Sequence, residues 1–106
     1  MVFVELTPFI EFRESHWTDD EFLELQRYLL QSPGAGDLVP GGGGIRKLRW
    51  QAQGRGKKGG ARVIYCWQVA GSKIFLIHAY AKAKTEDLTP AQISVLAKLT
   101  KDLHHG

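Results

Sequence analysis

The sequence predicts an α+β fold: two N-terminal helices packed on a small antiparallel sheet, then a C-terminal helix. The sheet is a three-strand meander with a possible N-terminal strand. Three observations carry this expectation. Thr18 and Glu21 form a capping box, and Phe22, Leu25 and Leu29 follow it at helical spacing. Three segments rich in β-branched and aromatic residues, Ile45–Gln51, Ala61–Val69 and Lys73–Ala81, follow one another in the middle of the chain. Thr89-Pro90 with Gln92 then repeats the cap, proline and box pattern ahead of a second amphipathic stretch. Helices grouped before and after a meander argue for one sheet with helices on one face and the other face open.

Taken in order, Phe3-Val4 reads as a short strand. Thr7-Pro8 reads as an N-cap with proline at the first helical position, and Phe9, Ile10 and Phe12 give that short helix an apolar side. Asp19, Asp20 and Glu21 fill the first turn of the next helix, where the helix dipole favours negative charge. Pro33-Gly34 stops it. Residues 34–44 (GAGDLVPGGGG) hold six glycines and a proline, so no regular structure is expected there. In Ile45–Gln51, alternation puts Arg46, Leu48 and Trp50 on one face and Ile45, Lys47, Arg49 and Gln51 on the other. Gln53–Gly60 is a basic, glycine-rich loop, and Ala70-Gly71-Ser72 a short hairpin turn. Ile93, Leu96, Leu99 and Leu103 mark the C-terminal helix, and His104, His105 and Gly106 read as a frayed end.

The 106 residues are expected to form a single domain, residues 1–106, long enough to bury a core. Cys66 is the only cysteine, which excludes an intramolecular disulfide framework. The first residues lack the basic and apolar regions of a signal peptide, and no stretch reaches membrane-spanning length, so a cytoplasmic protein is expected.

The net charge of +3 conceals a segregation. Residues 1–37 hold eight acids against two bases, and residues 38–85 hold ten bases and no acid. Excluding every carboxylate from 48 residues points to a polyanionic partner, because ordinary surfaces intersperse the two signs. Metal chemistry is not expected: there is no cysteine pair, and the histidines lack ligand spacing with carboxylates. Cys66, set between Tyr65 and Trp67 in a strand, reads as buried rather than nucleophilic. Phosphate chemistry remains. Lys47 and Arg49 project from one strand face, Arg62 opens the next strand, and His78 and Tyr80 lie two apart on the third. Converging cations bind a phosphodiester and stabilise charge that develops on it. On RNA the 2′-hydroxyl itself can attack, so a protein need supply only positioning, charge stabilisation and proton transfers. For Trp50 and Trp67, packing is the expected role.

The segment 45–65 (IRKLRWQAQGRGKKGGARVIY), with the preceding GDLVPGGGG and the later HAYAKAKTEDLT, resembles the RelE/ParE superfamily of type II toxins. The nearest group is the HigB/RelE-like toxins, which carry GG-[IL]-RK-[IL]-R followed by GKGKRGGxRxIYY. The likeness extends from Phe3 to the C-terminal helix. It implies a RelE-like fold and a metal-independent, ribosome-dependent mRNA endonuclease that needs no cofactor. It also implies a cognate antitoxin of HigA/RelB type that binds DNA, with the ribosome and mRNA as further partners. Matched residue by residue, the resemblance implies catalytic roles for Lys47, Arg49, Arg62 and Lys82, with Tyr80 beside them. RNA or ribosome contacts fall to Arg46, Arg55, Lys57, Lys58, Lys84 and His78. Two positions depart from the pattern. Ala83 stands where relatives carry arginine or asparagine, and Thr89 stands near the place of a tyrosine proton acceptor. The alternatives are therefore a ParE-like inhibitor of DNA gyrase without nuclease chemistry, and a nucleic-acid-binding regulator.

Overall fold

The computed structural model describes residues 1–51, 60–81 and 87–105, with residue 105 described by its backbone alone. The expected basic loop, with Arg55, Lys57 and Lys58, falls outside the described residues apart from Gly60, and so do Lys82, Ala83 and Lys84. The elements are β1 (Val2–Glu5), α1 (Thr7–His16), α2 (Asp19–Gln31), β2 (Asp37–Leu38), β3 (Ile45–Trp50), β4 (Ala61–Gln68), β5 (Lys73–Ala81) and α3 (Pro90–His105). The five described strands form one sheet in the order β1-β5-β4-β3-β2. No helix among the described residues is long and apolar enough to cross a membrane.

The class is α+β, as the sequence predicts, and β3, β4 and β5 form the expected antiparallel meander. Several details differ. The sheet is mixed, because β1 pairs parallel to β5, with Val2 opposite Lys73 and Glu5 opposite Leu76. The glycine-rich segment contains a strand after all. Asp37 and Leu38 pair antiparallel with Lys47 and Arg46, and the glycines act around that pairing rather than against it. Gly43 takes φ +70°, and a Cβ there would press on the Ala97 backbone of α3 at 3.3–3.4 Å. Helix α1 begins at Thr7 itself, with Leu6 as its N-cap and no side-chain cap. The two boxes form as expected. Thr18 N–H donates to Glu21 Oε1 at 2.8 Å, and Thr89 N–H to Gln92 Oε1 at 2.9 Å. The C-terminus is not frayed at His104. The helix runs on to His105, and His104 Nε2 lies within hydrogen-bond distance of the Cys66 Sγ, at 3.1 Å.

Helices cover both faces of the sheet, which corrects the expectation of one open face. On one face Phe9, Trp17, Phe22, Leu25 and Leu29 of α1, α2 and the link between them pack on Leu48, Val63, Tyr65, Ile74 and Leu76. On the other, Leu96, Leu99 and Leu103 of α3 pack on Ile45, Ile64, Cys66, Phe75 and Ile77. Only one end of this second face is apolar. Its other end carries Lys47, Arg49 and Arg62 beside the apolar residues that α3 covers.

The loop before β2 is pinned from within the first core. Tyr65 has no exposed surface, and its hydroxyl donates to Pro33 O and accepts from Gly36 N–H, both at 2.8 Å. A Cβ on Gly36 would stand 2.8 Å from the Tyr65 ring, so only glycine admits that approach. Tyr65→Phe strands one buried donor and one acceptor. The expected loss is about 1–3 kcal/mol, read as a lower urea midpoint at unchanged m-value.

A single irregularity in β5 decides which side chains share a face. Ile64 lies opposite His78, but Tyr65 lies opposite Leu76, so Ile77 is an extra residue in β5. Before it, Ile74 and Leu76 face α1 and α2. Strict alternation would send His78 and Tyr80 to that same core. The bulge reverses the phase: Ala79 enters the α1–α2 core, while Tyr80 packs on the α3 side.

Candidate active site

Two adjacent cross-strand rows build the site on the α3 face. Arg49 of β3 is opposite Arg62 of β4, and Arg62 is opposite Tyr80 of β5. One step along, Lys47 is opposite Ile64, and Ile64 is opposite His78. Directly opposite side chains on one sheet face are near neighbours. The pairing therefore brings together five of the six described residues that the sequence marks: Lys47, Arg49, Arg62, His78 and Tyr80. The sixth, Arg46, lies on the opposite face. Its Nη1 donates to Gly34 O at 3.1 Å and Gly36 O at 2.8 Å, so it braces the loop before β2.

Arg49 is exposed, Lys47 and Arg62 half-buried, and Tyr80 buried at 7% exposure. Two like charges directly opposite each other, Arg49 and Arg62, destabilise a bare sheet. The arrangement becomes favourable when an anion lies between them, as at phosphate sites.

Sequence reasoning missed Asp87. Lys47 Nζ donates to both of its carboxylate oxygens, at 2.7 and 2.9 Å, and Leu88 N–H donates to Oδ1 at 3.0 Å. The Lys47 ammonium first, then the Leu88 amide, hold the Asp87 carboxyl below the usual range. No local pattern announces this contact. Lys47 and Asp87 are 40 residues apart, and only the return of the chain from β5 to α3 joins them. The Asp87 side chain is 68% exposed. Such a pair is worth roughly 0–1 kcal/mol in water, so a stronger anion can displace the carboxylate from Lys47.

The two ring side chains hold their protons differently. Burial first, then the Asp87 charge, push the Tyr80 phenol up, against a smaller opposing pull from Arg62. Tyr80 therefore stays a protonated donor. Burial lowers the His78 imidazole from its ordinary 6.5, so it is neutral at pH 7. The rings lie 5.9 Å apart between centroids.

The His78 shift has a consequence for stability. Its folded pKa lies below the unfolded value, so the unfolded chain binds the proton more readily. Stability is lost as pH falls below about 6.5, and this loss stops growing once pH is below the folded pKa. Urea midpoints at pH 8 and pH 5.5 should show that loss in the wild-type chain, and a smaller loss in His78→Asn.

The RelE family model, described as the RelE toxin of the RelE / RelB toxin-antitoxin system, matches residues 11–105. The match takes in both helical layers, the meander and every described residue of the two rows. With this fold and a match over nearly its whole length, the chain belongs to the RelE toxin family.

Proposed function

We propose that the protein is the toxin of a type II toxin-antitoxin pair and cleaves mRNA on the ribosome as a metal-independent endoribonuclease. The observation that carries this reading is the Arg49–Arg62–Tyr80 row with Lys47 beside it, three cations and one protonated phenol on a single sheet face. Lys47, Arg49 and Arg62 take the phosphodiester and the charge that grows on it as the 2′-oxygen attacks. The O2′–P bond forms as the 2′-hydroxyl proton passes to water, and the P–O5′ bond breaks to leave a 2′,3′-cyclic phosphate and a 5′-hydroxyl. Tyr80, beside Arg62, is the donor for the departing 5′ oxygen. The resemblance adds Lys82 to the catalytic set and assigns ribosome contacts to Arg55, Lys57, Lys58 and Lys84, all outside the described residues. The described face is small for holding RNA alone, which supports cleavage of mRNA already held by a ribosome. A cognate antitoxin of HigA/RelB type, with its own DNA-binding part, is the neutralising partner, and both act in the cytoplasm.

In-vitro translation of a defined mRNA, read by primer extension with a ribosome-free control, tests this. The expected result is cuts in register with the reading frame that appear only with ribosomes. An intact message and continued translation would overturn the reading and move the target to DNA gyrase.

A further inference from the structure

Beside the cationic rows, between β5 and α3, runs an apolar groove of about 320 Å³ lined by His78, Leu88, Ala91, Gln92, Val95 and Leu96. We propose that this groove seats a nucleobase of the RNA strand whose phosphate lies on Lys47, Arg49 and Arg62. The inference rests on the reading of that face as a phosphate site.

Three observations argue for this occupant. First, the groove adjoins the cationic face. Leu88 lines both the groove and the neighbouring hollow that holds Lys47 and Asp87. His78 lies across Ile64 from Lys47 and two residues from Tyr80. A ligand that enters here while anchored on Lys47 needs an anion joined to a flat apolar body, which is the make-up of a nucleotide. Second, the groove keeps apolar surface open. Val95 is 66% exposed, and Ala91 is exposed beside it. The His78 ring, neutral by burial, supplies a stacking face. Third, the polar group at the rim is one-sided. Gln92 Oε1 is already engaged by the Thr89 amide in the α3 cap, which leaves the two Nε2 donors as the main polar offer of its side chain. Gln92 therefore favours bases that present an acceptor on the facing edge, such as O6 and N7 of guanine.

The test is an NMR titration of the full chain with inorganic phosphate, ribose 5-phosphate and the four ribonucleoside 3′-monophosphates. At least one nucleotide is expected to bind about tenfold more tightly than ribose 5-phosphate, with amide shifts at Ala91, Gln92 and Val95. Ala91→Phe fills the groove from an exposed position, and the affinity for that nucleotide should fall to that of ribose 5-phosphate. Gln92→Glu keeps an oxygen acceptor for the Thr89 cap but replaces the donor, and should abolish or reverse the ranking among bases. If phosphate binds on Lys47 and Arg62 while the bases add nothing, the groove proposal fails and the phosphate site stands. If neither phosphate nor nucleotide shifts the strand amides, both readings fail. Groove shifts that appear with an acidic amphipathic peptide, but with no nucleotide, would also overturn the proposal and assign the groove to a protein partner.

Discussion

Arg62→Ala is expected to abolish growth arrest and to lower ribosome-dependent cleavage by about 10²–10³-fold, the usual effect of deleting one donor at a developing charge. Arg62 is the middle member of its row, with Arg49 on one side and Tyr80 on the other. Among the described residues no other cation stands between them. The loss also reaches its neighbours, since Arg62 pulls down both the Tyr80 phenol and the Asp87 carboxyl. Arg62→Lys should recover little, because an ammonium lacks the planar fork that holds two phosphate oxygens. Arg62 is half-buried and outside both apolar clusters, so the urea midpoint should move little. A folded Arg62→Ala protein that still arrests growth fully would remove Arg62 from the site.

Phe9→Ala is expected to be the most damaging single change to stability, at about 3–5 kcal/mol. Phe9 has no exposed surface. Its ring meets Trp17 edge-on at 6.0 Å and lies 5.7 Å from Phe22, so one side chain joins α1 to α2 over the sheet. The loss is a large share of the roughly 5–15 kcal/mol that holds an ordinary domain together. Leu23→Ala, on the exposed side of α2, should change stability by no more than about 0.5 kcal/mol. Urea denaturation of the two variants measures the difference. In cells, Phe9→Ala should lose toxicity by falling in abundance, whereas Arg62→Ala should persist at wild-type levels.

What the sequence made legible was local. The boxes at Thr18 and Thr89, the alternation in β3 and the turn before β5 each rest on residues a few positions apart, and each formed as read. The segregation of charge also survived into three dimensions. The cationic rows lie on the α3 face, and the acid-rich α2 lies on the other. Long-range features were not legible. The parallel pairing of β1, the placement of α3 on a second face and the Lys47–Asp87 contact all depend on where the chain returns. The bulge at Ile77 is the most instructive case. His78 and Tyr80 were expected together, and strand spacing gives that much. Which core they face turns on one inserted residue among apolar neighbours that would fit either phase.

The pairing of β1 with β5 also sets an order in time. A ribosome makes Val2–Glu5 first, yet their partners are Lys73–Leu76, and α1 rests on that same strand. Until β5 emerges, β1 has no ladder to join and α1 lacks the strand it packs on. Contacts of such long sequence separation close slowly, because the loop entropy is lost before the contact is gained. The Arg62–Tyr80 pair likewise waits for the end of β5. The cross-strand row of Arg49, Arg62 and Tyr80 therefore exists only once the chain has been made through Tyr80 and β5 has paired.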